Sequence, residues 1–155
     1  MTDRIQVFIE AGRLARLSAP DDEVVGLWAA ALEAFADGTS ESISGRGRLG
    51  LLYDAGRIAA DALVRAHDLR VRATNHHEVA IRTASLLSNE ELAGAFGRLD
   101  GLRTLRAEAK YGWQMADFTE HLVKAVPLVS QILELSSREL VKARPHLAAR
   151  LAPPR

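Results

Sequence analysis

Apolar residues recur at helical spacing along almost the whole chain, and this pattern constrains the fold more than any other feature. A clear example is the run Val24, Leu27, Trp28, Ala31, Leu32 and Phe35. Steps of three and four residues place such side chains on one face of an α-helix, whereas a half-buried strand needs strict alternation. Because no segment of useful length alternates in that way, the sequence predicts an all-α fold.

Helix start and stop signals divide the chain into five or six helices. Pro20 followed by acidic residues opens one helix, Gly38 closes it, and the sequence SNEE at 88–91 is typical of a helix N-terminus. The predicted helices span about residues 2–17, 21–37, 46–67, 75–87, 89–110 and 116–143. Long helices with one apolar stripe each, joined by short connections, favour an up-and-down helical bundle.

The chain is predicted to form a single domain over residues 1–155. Within it, residues 1–38 are expected to be a helical pair packed on the bundle, and residues 46–143 to be the bundle itself. The Ser- and Gly-rich stretch between them is interpreted as a linker inside one compact unit, because two helices alone could hardly bury both their faces. The proline-rich residues 144–155 are expected to be a frayed tail.

Composition excludes several classes of function. The chain has 20 basic and 20 acidic residues, so no global charge favours nucleic acid, membrane or acidic partners. It has no cysteine, which excludes disulfides, thiol catalysis and cysteine-ligated metal. No apolar stretch approaches the roughly 18–20 residues of a membrane span, and the N-terminus does not resemble a signal peptide. We therefore expect a cytoplasmic protein without a membrane partner.

Two helices carry features beyond the core stripe. The third helix has a Gly/Ala face around Gly56, which permits another helix to approach closely. On its other side lie charged residues that we expect to form a solvated face: Asp54, Arg57, Asp61 and Arg65.

On the fifth helix, the apolar stripe through Leu99 and Leu102 leads past Arg106. That arginine either extends from the edge of the stripe into solvent or serves a functional site.

The fifth helix also carries a resemblance to a known family. Residues 102–113 (LRTLRAEAKYGW), with the upstream runs 51–57 (LLYDAGR), 66–72 (AHDLRVR) and 76–78 (HHE), resemble HEPN domains over roughly residues 49–140. These are small helical bundles, often dimeric, found in ribonuclease toxins, CRISPR nucleases and modules linked to nucleotidyltransferases. The resemblance implies an HEPN-like bundle, a homodimer, and a nucleotidyltransferase or antitoxin as a possible partner. The Gly/Ala face of the third helix also favours a dimer, because it permits close packing of helices.

The nuclease motif of that family is an Arg, then a polar residue, then a His four to six positions after the Arg. Carried over, the Arg falls on Arg106, while Ala107 and Tyr111 stand at the polar and His positions. The resemblance makes Arg106 and Tyr111 the candidate catalytic residues, with Arg103 and Lys110 beside them as candidate ligand or RNA contacts. Because tyrosine is a poor general base at neutral pH, we expect no nuclease activity of the family type.

A second cluster has similar spacing outside that segment. Arg70 and Arg72 are followed by His76 and His77, in a turn that enters the fourth helix. Basic groups beside a helix N-terminus suit a phosphate, so the cluster is either a solvated turn, an anion or RNA contact, or a catalytic group. Adjacent histidines on a helix point in different directions, so we predict no metal site and no cofactor.

Three functions follow as alternatives. The first is an HEPN-like module that binds RNA, a nucleotide or a protein partner without family-type nuclease activity. The second is an active, metal-independent endoribonuclease toxin of a toxin–antitoxin or phage-defence system. The third is a helical, dimeric interaction protein with no role in nucleic-acid binding.

Overall fold

A computed structural model of the chain describes the backbone of residues 2–111 and 118–155, and the side chains of the same residues except 2 and 106–111. The elements, in order, are α1 (Thr2–Glu10), β1 (Leu14–Arg16), α2 (Asp21–Gly38), α3 (Gly45–Ala66), β2 (Leu69–Val71), α4 (His76–Leu86), α5 (Glu90–Tyr111), α6 (Thr119–Ala143) and a 3-10 helix (Pro145–Arg150). The fold is an all-α helical bundle with one small two-stranded sheet in the described part, as the apolar spacing predicts.

Helix α3 is the central element of the bundle and packs against α2, α4, α5 and α6. Its small residues allow this, since Ala55, Ala59 and Ala60 are fully buried and Gly56 lies directly against Leu99 of α5. The Gly/Ala face therefore serves packing within the chain, and it is not a free surface for a second copy. The Ser44 side chain caps the helix by accepting a hydrogen bond from the Gly47 amide at 3.2 Å.

The first helix is shorter than predicted, and two strands follow from its early end. Gly12 has a φ of +73°, a left-handed conformation that ends the helical path after α1. The chain then runs extended as β1 and pairs antiparallel with β2, with Ala15 opposite Arg70. Strands of three residues are too short to show alternation, so the apolar pattern did not predict them.

Arg65 was predicted to lie on a solvated face of α3, and that prediction is wrong. Its side chain is only 11% exposed and donates hydrogen bonds to the carboxylate of Glu23 and to three backbone carbonyls, those of Leu17, Ser18 and Leu69. The guanidinium thus joins α3 to the start of α2, to the residues that follow β1 and to the first residue of β2. A buried arginine is stable here because donors and charge are satisfied.

The C-terminal residues are packed rather than frayed. Leu147 and Leu151 are buried, and the Trp28 indole N–H donates to the Ala152 carbonyl at 2.9 Å. Arg144 donates to a carboxylate oxygen of Asp21 at 2.6 Å, which joins the end of α6 to the start of α2. The burial of Leu147 and Leu151 offsets the loss of conformational entropy on ordering this segment, a loss that a terminus left in solvent does not incur.

Buried apolar residues among the described ones form one cluster, to which residues from α1 through the C-terminal segment contribute. No helix in the described part of the chain is long and apolar enough to cross a membrane.

Candidate ligand-binding cleft

The helices α4 and α5 pack side by side because a tight turn joins them. Asn89 caps α5 by accepting a hydrogen bond from the Leu92 amide at 2.9 Å, as the SNEE sequence predicts, and the Ser88 hydroxyl donates to the Ala84 carbonyl at 2.6 Å. Both helices also contact α3. Residues that are distant in sequence, at the start of α4 and in the middle of α5, are thereby brought to one place.

That place is a cleft of about 710 Å³ between the two helices. Its interior is apolar, with Tyr53 of α3, Ile81 of α4 and Phe96 of α5. Both aromatic rings are almost fully buried, so the interior is a packed part of the core with a fixed shape. The volume falls in the range of sites that hold small molecules.

The polar lining of the cleft includes two histidines at the first turn of α4. The rings of His76 and His77 meet edge to face, with centroids 5.7 Å apart and an interplanar angle of 87°. The Nε2 of His76 lies 3.7 Å from a carboxylate oxygen of Asp61 on α3. Asp61 also forms an ion pair with Arg57 on the same helix. Burial raises the pKa of the Asp61 carboxyl, although Arg57 and His76 act in the opposite direction.

Each arginine of the cleft has a carboxylate partner on its own helix. Arg103 donates from Nε to Asp100 at 2.9 Å, and this hydrogen bond is the main cause of a raised pKa of the Arg103 guanidinium. Arg82 lies 4.0 Å from Glu78. The two pairs have the i,i+3 and i,i+4 spacings that bring side chains together on a helix surface. Among the described residues of this lining, the two arginines and the two carboxylates therefore balance in charge.

A smaller cavity of about 210 Å³ lies on the other side of His76. Its lining includes Asp61, Arg70 and His76, so His76 belongs to both cavities. The Arg65–Glu23 ion pair forms part of its wall. Among the described residues, no group of three histidine or acidic side chains is arranged to hold a metal ion.

The structure brings some of the residues selected from the sequence together and leaves others apart. Arg103, His76 and His77 line the large cleft, and Arg70 lines the adjoining cavity. Arg72 is exposed and belongs to neither lining. Its backbone amide extends the pairing of the two strands by donating to the Arg13 carbonyl at 2.8 Å.

Three further predictions fall outside what is described. The backbone of α5 includes Arg106, Lys110 and Tyr111, but the side chains of these three residues lie outside the described ones. The last helix, predicted to start at about residue 116, begins at Thr119, after the non-helical Phe118. Whether Arg106 lies beside the core-facing stripe therefore stays a prediction.

Sequence reasoning missed the acidic members of this site. Glu78 and Asp100 precede their arginines at helical spacing, so that signal was present in the sequence. Asp61 was noted only as part of a solvated face of α3. Its position next to His76 follows from the packing of α4 on α3, which no local pattern reports.

Fold and cleft together define a helical-bundle protein with a small-molecule-sized cleft between α4 and α5, lined by apolar and by charged side chains. Comparisons with family models, with curated proteins and with solved structures give no match.

Proposed function

We propose that the chain is an HEPN-like helical module that binds the phosphate of a nucleotide or an RNA in the α4–α5 cleft, without nuclease activity of the family type. The observation that carries this proposal is the meeting of Arg103 with His76 and His77 in one cleft. Sequence reasoning selects these residues on two separate grounds, the HEPN-like segment and the Arg/His spacing. A cleft lined by a guanidinium and by imidazoles at a helix N-terminus has chemistry that suits a phosphate.

The test is a binding measurement with a matched pair of variants on α5. Arg103 and Arg98 are both exposed arginines of that helix, but Arg98 contacts Gln131 of α6 and lies outside the cleft lining. We expect Arg103→Ala to weaken binding of adenosine monophosphate or of a labelled ribonucleotide decamer by about tenfold, as for loss of one charge-assisted hydrogen bond. Arg98→Ala is expected to bind as the unchanged chain does. Equal losses in both variants, or no binding of either probe, would contradict the proposal.

The geometry of the two imidazoles favours a second candidate function, a metal-independent endoribonuclease. Two adjacent imidazoles can supply a general base and a general acid, and a nearby guanidinium can hold the scissile phosphate. Incubation of the purified chain with total RNA in the presence of a chelator tests this candidate. Cleavage that His76→Ala or His77→Ala abolishes assigns it to the cleft, and cleavage that only Arg106→Ala abolishes assigns it to the family-type position.

The HEPN resemblance also implies a homodimer and a nucleotidyltransferase or antitoxin partner, and both stay part of this proposal. The Gly/Ala face of α3 no longer supports the dimer, because Gly56 and the neighbouring alanines are buried within the chain. Light scattering at increasing protein concentration tests it directly. A mass near the 16.9 kDa of one chain at high concentration would contradict the dimer.

A further inference from the structure

A second groove, separate from the α4–α5 cleft, lies between α2 and the C-terminal segment. Its volume is about 500 Å³, and its lining shares no residue with that of the cleft. The wall on α2 consists of residues at steps of three and four along the helix: Leu32, Phe35, Ala36 and Thr39. Because Val24, Trp28 and Ala31 of the same helix are buried in the core, α2 is largely apolar on two faces. The second face is only partly covered, since Leu32 and Phe35 are half-buried.

The C-terminal segment forms the opposite wall, and contacts outside the groove hold it in place. This wall carries small or cyclic side chains: Ala149, Ala152, Pro153 and Pro154. Leu151 beside them is fully buried, and the Ala152 carbonyl accepts a hydrogen bond from the Trp28 indole at 2.9 Å. Each proline also fixes its own φ angle. The groove is therefore formed without a ligand, so that little conformational entropy is lost when one binds.

The charge of this groove differs from that of the cleft. The charged side chains in its described lining are two arginines, Arg150 and Arg155, and no acidic side chain is among them. Arg150 pairs through Nη2 with Asp22 at 3.1 Å, and the side chain of Asp22 is 88% exposed. Such an exposed pair is weak, because water competes for both charges. A guanidinium has five N–H donors, so Arg150 can bind a second carboxylate beside Asp22 or in its place.

We infer that the groove between α2 and the C-terminal segment binds a small amphipathic carboxylate, a molecule with an apolar chain of medium length and one carboxylate group. The chain lies along Leu32 and Phe35, and the carboxylate binds Arg150. The two lining arginines and Asp22 together leave one positive charge, which one carboxylate balances. The volume and the mostly apolar lining are those of a small-molecule site in which a few polar groups fix the orientation. This site is additional to the proposed phosphate site.

Calorimetric titration with octanoate tests the class of ligand, and three related compounds serve as controls. 1-Octanol has the same chain without the charge, octylammonium has the opposite charge, and acetate has the charge without the chain. We expect octanoate to bind about tenfold or more tightly than octanol or octylammonium, as for one charge-assisted hydrogen bond. Acetate should show no measurable binding, because it buries almost no apolar surface.

A matched pair of variants on α2 tests the location. Ala36 and Ala30 are both exposed alanines of this helix, but only Ala36 lines the groove. Ala36→Phe places a large side chain in the groove and should weaken octanoate binding by about tenfold or more, as expected when a ligand is excluded from a packed site. Ala30→Phe should leave octanoate binding unchanged.

Three further variants test the position of the carboxylate. Arg150 and Arg138 are both exposed arginines paired with a carboxylate, but Arg138 lies outside the lining. Arg150→Gln should weaken octanoate binding by about tenfold, to a level near that of octanol, and Arg138→Gln should not change it. Asp22→Asn keeps Arg150 and removes the carboxylate that competes for it. This variant should therefore strengthen octanoate binding by about threefold, the strength of an exposed ion pair.

Other outcomes overturn the inference. Octanol binding as tight as octanoate binding overturns the need for a carboxylate, and octanoate binding that Ala36→Phe does not weaken overturns the location. Weaker octanoate binding in Asp22→Asn would show that the Asp22–Arg150 pair only holds the C-terminal segment, and it overturns the position of the carboxylate. No binding of octanoate overturns the site as a whole. All of these outcomes leave the proposed phosphate site intact, since the two linings share no residue.

Discussion

The guanidinium of Arg65 and the carboxylate of Glu23 form a two-point ion pair that joins α3 to α2, with Nη2–Oε2 and Nε–Oε1 distances of 2.9 and 3.1 Å. The same guanidinium donates to three backbone carbonyls at one end of the small sheet, two just after β1 and one at the first residue of β2. One side chain thus fixes the relative positions of two helices and two strands. Its removal leaves both the carboxylate and the carbonyls without their donor.

Arg65→Ala is expected to destabilise the fold by about 1–3 kcal/mol, because three partly or fully buried carbonyls lose their donor, whereas the 43% exposed carboxylate of Glu23 can be hydrated by solvent. The matched control is Arg138→Ala, which removes an exposed pair with Glu134 at 3.0 Å on α6. That change should cost about 0.5 kcal/mol or less. Urea denaturation measures both free energies of unfolding, and equal losses would show that the Arg65 contacts contribute no more than a surface pair.

The same ion pair predicts a pH dependence of stability. The hydrogen bond from Arg65 lowers the pKa of Glu23 below its ordinary value of 4.5, and this effect exceeds the opposing effect of burial. A carboxyl whose pKa is lower in the folded chain stabilises it above the ordinary pKa, and this stabilisation is lost as the pH falls through the folded value. Glu23→Gln should therefore lower stability at pH 7, and the difference from the unchanged chain should shrink below pH 4.5.

A double-mutant cycle provides the control for this pH effect. In a chain that already carries Arg65→Ala, the substitution Glu23→Gln should cost little, and its effect should change little with pH. Unfolding free energies at several pH values between 3 and 7 supply the comparison. A pH-independent effect of Glu23→Gln in the unchanged chain would contradict the assignment of the pKa shift to Arg65.

Two glycines in helix interiors are expected to respond in opposite directions to alanine. A Cβ at Gly56 would lie 2.8 Å from the Cδ1 of Leu99, so the fully buried Leu99 side chain would have to shift within the core. Gly56→Ala should destabilise the fold by about 1–3 kcal/mol despite the better helix propensity of alanine. Gly97→Ala meets open space and should stabilise by about 1 kcal/mol or less. Denaturant unfolding of the two variants tests both predictions. Stabilisation by both substitutions would mean that α3 and α5 can move apart at little cost in free energy.

The C-terminal segment is expected to contribute to stability as a part of the core. Leu151 is fully buried, and Leu151→Ala should cost about 2–4 kcal/mol through lost burial and the cavity left behind. Val123 on α6 is 69% exposed, so Val123→Ala should change stability by about 0.5 kcal/mol or less. Limited proteolysis offers a second readout, since Leu151→Ala should expose the terminal residues to cleavage. Resistance equal to that of the unchanged chain would indicate that the segment is anchored elsewhere.

The helices of the bundle could be predicted because their signals are local. Apolar spacing and cap residues gave α3 and α4 to within one residue at each end, and the start of α5 follows from its Asn89 cap. The end of α1 was predicted too late. The apolar spacing continues through Leu17, but the left-handed conformation of Gly12 diverts the chain into a strand whose partner lies more than 50 residues away.

The sequence by itself determined the helical class of this protein, the bounds of most helices and the residue types available for the proposed phosphate site. Those properties depend on propensity and periodicity, which act over one or two turns. Only the tertiary structure decided that Arg65 is buried, that the C-terminus is packed, and that His76 and Arg103 line the same cleft. These facts depend on which helix faces pack together. The packing is determined by the total apolar surface that the whole core buries, and no single segment of the sequence reports that total.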